Sequence, residues 1–154
     1  MCDHCGCRQV APIAELMDEH TALLDEAYEV RKALGERDPA CAMALLRTLV
    51  GHLDRHVHRE ETGIFPALRD TGEFLDEVDA LEGEHRDLDA ALEGLDPGAP
   101  DFAQRVTDLL HSLDLHVQRE NLGVFPVAIV TLGAEGWDTI DAAHAETPTF
   151  LGGS

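Results

Sequence analysis

Two copies of one segment, sixty residues apart, carry His-x3-Glu: His56 with Glu60, and His116 with Glu120. Seven of eleven positions match between residues 56–66 and 116–126. One further histidine precedes each copy in a shared Glu-His-x-x-Leu context, His20 after Glu19 and His85 after Glu84. The order along the chain is therefore His, His-x3-Glu, His, His-x3-Glu. Residues four apart on a helix lie about 6 Å apart along the axis on nearly the same face, so each His and Glu pair can approach one metal position. Four imidazoles and two carboxylates suit two transition-metal ions, with the carboxylates able to bridge them. A His and Glu set without thiolate favours iron, with manganese and zinc as competitors.

These residues must be positioned by helices. Helical periodicity dominates, broken at Gly35 to Pro39, around Gly63 to Gly72, at Gly94 to Pro100 and from Gly123 onward. Four long helices are predicted: from about Pro12 to Gly35, from Asp38-Pro39 to the first copy of the repeat, from about Glu73 to Glu93, and from Asp101 to about Leu122. A short fifth helix is expected over Ala134 to Glu146. Steps of three and four give inner stripes Ile13, Leu16, His20, Leu23, Ala27, Val30; Ala42, Leu46, Leu49, Leu53, His56, Glu60; Phe74, Val78, Leu81, His85, Leu88, Leu92; and Phe102, Val106, Leu109, Leu113, His116, Glu120. Every candidate ligand falls on the core face. Short connections favour antiparallel neighbours, hence an all-α fold: an up-down-up-down antiparallel four-helix bundle with a short extra C-terminal helix. His56 and His116 then lie late in their helices and His20 and His85 earlier in theirs, so the ligands share one off-centre layer. Core histidines bonded to carboxylates without metal are the plainer reading. Six buried polar groups in one layer, each costing on the order of kcal/mol uncompensated, argue against it.

Composition bounds the rest. A chain of 154 residues with 44% hydrophobic content fits one domain at residues 10–130, flanked by a flexible Cys-rich tail at 1–9 and a C-terminal helix and tail at 131–154. Acidic residues outnumber basic ones 31 to 11, which disfavours nucleic acid and anionic membranes as partners. Most of that excess is read as the solvated faces of long helices. The sequence offers neither the roughly 18 apolar residues of a membrane span nor a signal-peptide core, so a cytoplasmic protein is expected. Cys2, Cys5 and Cys7 crowd around His4, either in a mobile tail or as a secondary soft-metal or redox site, while Cys41 stands alone.

Other residues near the motifs receive plainer readings. His58 and His111 fall off the stripes, and His4 and His144 lie in terminal segments. His52 has Ser112 as its repeat counterpart and is read as supporting or surface. Glu61, opposite Asn121, is read as a surface residue, and Tyr28 as a core residue with a polar tip. Phe65-Pro66 and Phe125-Pro126 are expected to close over the metal end, although a helix stop explains the prolines equally well.

The pattern met by His20, His56, Glu60, His85, His116 and Glu120 resembles that of the hemerythrin-like (HHE cation-binding) family, over about residues 10–130. The resemblance implies a di-iron centre of two non-haem irons, oxo- or hydroxo-bridged, with Glu60 and Glu120 as bridging candidates and the four histidines as terminal ligands. The family's oxygen carriers have an additional histidine one turn before the third-helix ligand, where this chain has Leu81, and a last carboxylate five rather than four residues after its histidine. Glu82, three before His85, is a candidate compensating ligand. Fewer protein ligands than metal positions leave room for a small oxidant such as dioxygen, peroxide or nitric oxide. A binding or sensing module in oxidative or nitrosative stress is the first expectation, and a catalase-like di-iron enzyme decomposing hydrogen peroxide is the alternative. Iron storage is disfavoured, because one small bundle holds two ions.

Overall fold

The computed structural model describes residues 10–152, and within them the chain is all-helical. The predicted 1–9 tail, with Cys2, His4, Cys5 and Cys7, lies outside the described residues. Helix α1 spans Ala11–Gly35 and α2 spans Pro39–Thr62. They form a tight hairpin. Arg37, at φ 56°, takes the left-handed position, and the amides of Arg37 and Asp38 return to the carbonyls of Leu34 and Ala33. Gly35 is the last helical residue, as the sequence predicts. Asp38 then caps α2, its Oδ1 accepting from the Cys41 amide at 3.0 Å, with Pro39 in the first turn.

The break expected over Gly63 to Gly72 contains a short helix, α3 (Ile64–Asp70), which buries Ile64, Phe65, Ala67 and Leu68. Helix α4 spans Leu75–Glu93 and α5 spans Phe102–Arg119. The helix expected to stop near Leu122 instead passes through a π-turn at Glu120–Val124 into α6 (Phe125–Thr131). Pro126 sits in the first turn of α6, where continued α-helical winding would bring its ring against a carbonyl one turn back, and the wider turn lets the chain run on. Helix α7 (Ala134–Glu146) is the short helix the sequence predicts.

Helix α1 packs along α2 and touches α5, α4 packs on α5 and α3, and α7 lies across α2 and α3. Two apolar cores result. One joins Leu23, Ala27 and Val30 of α1 to Leu46, Leu49 and Leu53 of α2, Leu88 of α4 and the Phe102 to Val117 face of α5. The other joins Ile13 and Leu16 at the start of α1 to Phe65 and Leu68 of α3, Val78 and Leu81 of α4, Phe125 of α6 and Ile140 of α7. Between them lies the layer of buried polar residues. The inner stripes hold apart from Phe74 and Leu92, half-buried near the ends of α4. Tyr28, expected in the core, is 64% exposed: it follows the buried Ala27 and precedes Val30 on the stripe, which turns it to solvent. No helix among the described residues is long and apolar enough to cross a membrane.

Candidate metal centre

α1 contributes His20, α2 His56 and Glu60, α4 His85, α5 His116, and the π-turn opens with Glu120. All six are buried, none more than 3% exposed. They form two groups, His20, His56, Glu60, Glu120 and His85, His116, Glu60, Glu120, whose ligand atoms lie within 4.8 Å of one another. Both carboxylates belong to both groups. Glu60 divides its oxygens between them: Oε2 lies 3.3 Å from His56 Nε2 and 3.8 Å from His20 Nε2, and Oε1 lies 3.4 Å from His85 Nε2. Glu120 Oε1 lies 3.0 Å from His20 Nε2 and 3.2 Å from His116 Nε2.

Each imidazole is held from behind by a neighbouring helix. Glu19 of α1 takes His56 Nδ1 at 2.6 Å, Glu61 of α2 takes His85 Nδ1 at 3.0 Å, and Glu84 of α4 takes His116 Nδ1 at 2.8 Å. Asn121, in the π-turn, completes the circuit with His20 Nδ1 at 2.8 Å. A carboxylate only accepts, so each Nδ1 facing one carries the hydrogen, as does His20 Nδ1 facing the amide oxygen of Asn121. In their neutral form, the one a metal requires, the rings turn four Nε2 lone pairs inward.

His20 Nε2, His56 Nε2 and all four carboxylate oxygens of Glu60 and Glu120 have no hydrogen-bond partner. His85 Nε2 and His116 Nε2 face each other at 3.0 Å, and with both Nδ1 atoms protonated two lone pairs confront each other unless a proton or a metal comes between. Burial alone would lower the imidazole pKa values, yet Glu60 and Glu19 raise His56 to about 10, and Glu120 raises His116 to about 9. His85 is raised against its burial by Glu60. Burial would raise the Glu60 pKa, but His56 and His85 hold it well below the ordinary carboxylate range. The buried anions draw positive charge to the Nε2 positions, and the residues fit a pair of metal cations there.

The profile of the Hemerythrin HHE cation binding domain matches residues 11–128. The chain belongs to that family. No curated protein and no solved structure matches it. The matched residues end within α6, and the segment from 134 to 152 lies beyond the match.

Around the HHE cage, two glutamates depart from the readings given to them and the other residues keep theirs. Glu61 is not merely a surface group: its side chain is 36% exposed, but it holds His85. Glu82 binds Arg69 through both oxygens, at 2.7 and 3.0 Å, and joins neither metal group. His52 pairs with Glu26 at 2.5 Å and stacks on Phe150, outside both groups. His58 and His111 are exposed, as is Cys41. Phe65 and Phe125 are fully buried and lie nearly parallel to ligand imidazoles, Phe65 to His85 at 5.7 Å and Phe125 to His20 at 5.3 Å, as the closure reading expects.

Arg59 was not singled out by motif reasoning, yet it is the largest fully buried side chain in the domain. Its Nε lies 3.1 Å from Glu19 Oε2, Nη1 donates to the carbonyls of Thr147 at 2.6 Å and His144 at 3.4 Å, and Nη2 pairs with Glu15. Arg119, its repeat counterpart, reaches Glu84 Oε2 at 2.5 Å. Each copy thus builds an Arg, Glu, His relay: Arg59, Glu19, His56 and Arg119, Glu84, His116. The signal was present in the sequence, because the arginine is a matched position and a glutamate precedes each earlier histidine. Glu19, despite burial, is held below the ordinary carboxylate range by His56, Thr149 and Arg59.

Proposed function

We propose that this HHE domain is an up-down-up-down antiparallel bundle holding two non-haem irons, and that the pair binds a small oxidant, namely dioxygen, peroxide or nitric oxide. His20 and His56 would serve one ion, His85 and His116 the other, with Glu60 and Glu120 shared. The alternation in direction is supported by the core that unites the starts of α1 and α4 with the helices following α2 and α5. The choice of iron is supported by a mixed imidazole and carboxylate set without thiolate.

The observation that carries the functional reading is the small number of donors per ion. Each group offers four residues, and the position one turn before His85 is Leu81, 4% exposed and packed in the apolar core. Bound iron supplies one-electron redox chemistry with coordination positions open to a small molecule. The chain's own residues do the rest. Glu61, Glu84, Glu19 and Asn121 fix the ring planes, while Phe65 and Phe125 stack on two of the rings and keep bulk water away. A cage closed in this way suits small, compact ligands. Such a domain fits a cytoplasmic role in oxygen or redox sensing or in the response to oxidative and nitrosative stress, with a net charge of −20 turning it away from nucleic acid.

The test combines metal content with ligand binding. Elemental analysis should give two irons per chain, and the reduced protein should change its visible spectrum reversibly with dioxygen or nitric oxide. One zinc per chain, or no spectral response, would refute this reading. Rapid catalytic oxygen evolution from hydrogen peroxide would replace it with the enzymatic alternative, which the absence of an imidazole at Leu81 also fits.

A further inference from the structure

The family match ends at residue 128, yet the chain returns to the cage after it. Beyond α7 the backbone runs along α1 and α2 and is fastened residue by residue. The Thr147 carbonyl accepts from Arg59 at 2.6 Å, the Pro148 carbonyl from Arg55 at 2.5 Å, and Phe150 stacks on His52 with ring centroids 4.5 Å apart. Between them the Thr149 hydroxyl donates to Glu19 Oε2 at 2.6 Å. Glu19 is fully buried, and its other oxygen is the one that takes His56 Nδ1.

We propose that Thr149 is a positioning residue for the metal position served by His20 and His56, acting through Glu19 from a segment outside the family match. A carboxylate anchored at one oxygen only is free to rotate about its last bond, and an imidazole hung on it swings with it. Here the second oxygen is fixed by the Thr149 hydroxyl beside the Arg59 guanidinium, so the plane of Glu19 is set and His56 Nε2 is aimed inward. The corresponding anchor in the other half of the cage is exposed. Glu84, which holds His116, is 26% exposed, and its second oxygen meets only Arg119, itself 55% exposed. The C-terminal segment therefore makes the two metal positions unequal: Glu19, behind His56, is dry and tied at its second oxygen by buried or half-buried groups, whereas Glu84, behind His116, is tied at its second oxygen by an exposed arginine at a wet edge.

This inference rests on the two-ion reading, and its test separates the two. The metal-free full chain is titrated anaerobically with cobalt(II), followed by visible absorption, alongside melting of the metal-free protein. Wild type takes up two equivalents. Loss of an outer partner of a metal-bound imidazole costs about 10- to 100-fold in affinity, so Glu19→Gln should weaken one equivalent by that factor and Thr149→Val, one hydrogen bond further out, the same equivalent by about 3- to 10-fold. The spectrum of that equivalent should change, and Thr149→Ser should restore it. Thr139→Val, which removes an exposed α7 hydroxyl bonded to the Glu135 carbonyl, should change neither. Wild-type binding of both equivalents by Thr149→Val, equal weakening of both, or failure of Thr149→Ser to restore would overturn the positioning role alone. Fewer than two equivalents in wild type would overturn the two-ion reading and this inference with it.

Discussion

Replacing Arg59 by Met leaves volume in place and removes a charge. Arg59 is fully buried, its guanidinium lies 3.1 Å from Glu19 and also pairs with Glu15, and it serves two backbone carbonyls of the C-terminal segment. Its loss strands the fully buried Glu19 carboxylate with only the His56 and Thr149 bonds, and it unpairs the Thr147 carbonyl. Removing one partner of a buried ion pair costs about 3–5 kcal/mol, because the charge left behind is uncompensated. For a chain of this length, each kcal/mol lowers the melting temperature by roughly 2–4 °C, so a drop of roughly 6–20 °C is expected. Arg119→Met is the internal control: the same repeat position and the same Glu partner type, but 55% exposed, where an ion pair contributes about 0–1 kcal/mol. Urea and thermal unfolding of both variants, each prepared as purified and after metal removal, measure the difference. If the two variants lost similar stability, or if Arg59→Met cost under about 1 kcal/mol, the argument that burial makes Arg59 the anchor of this face would fail.

The remaining predictions follow from the same geometry. His116→Ala or Glu60→Ala should remove most bound iron while His58→Ala, exposed on α2, retains it; equal loss in all three by elemental analysis would show that the inner stripe is misassigned. In the metal-free protein His56 is raised from 6.5 to about 10 and His116 to about 9. A raised folded value stabilises the fold below the unfolded pKa, so metal-free stability should fall as pH rises from 6.5 through about 9 to 10. The metal-loaded protein should lack that slope, because its imidazoles are held unprotonated at Nε2; parallel pH profiles of melting temperature would contradict the assignment. At Gly63 an added Cβ would meet the Arg59 carbonyl at 2.8 Å and the Ala143 Cβ at 3.2 Å, whereas at Gly123 nothing lies within 4 Å. Gly63→Ala should cost about 1–3 kcal/mol and Gly123→Ala should be neutral or stabilising, as urea midpoints will show.

The inward stripe was legible because period and chemistry coincide: every ligand falls at a step of three or four from a buried aliphatic residue. The helix ends were less so. Gly35 does end α1, although Arg37 rather than the glycine takes the left-handed turn, whereas the stop expected near Leu122 is overrun because the π-turn carries α5 onward into α6 with Pro126 in its first turn. The two copies differ in their surroundings at two matched positions. Gly63 and Gly123 match in sequence, yet only the first is pressed by α7; Arg59 and Arg119 match, yet only the first is covered by the C-terminal segment. A pair of copies reports what the bundle shares, and α7 packs mainly on the first copy and the short helix that follows it. Glu61 was misjudged for a different reason: a residue beside an inward ligand points sideways, and sideways in a bundle means toward the neighbouring helix rather than toward water.

The circuit of supports has a consequence for how the cage forms. Glu19 reaches from α1 to α2, Glu61 from α2 to α4, Glu84 from α4 to α5, and Asn121 from the π-turn back to α1. No imidazole is oriented by its own helix, so none is aimed until its neighbour has docked. Two carboxylates shared between both groups make the same demand from the inside, since neither group is complete without the helices that carry Glu60 and Glu120. Metal binding and bundle closure are therefore linked in both directions: the cation offsets the mutual repulsion of buried carboxylates and inward lone pairs, and the docked helices supply the donors that make a cation bind there. The single amide in the circuit, at Asn121, places one neutral partner among three anionic ones, which leaves His20 as the imidazole least enriched in negative charge from behind.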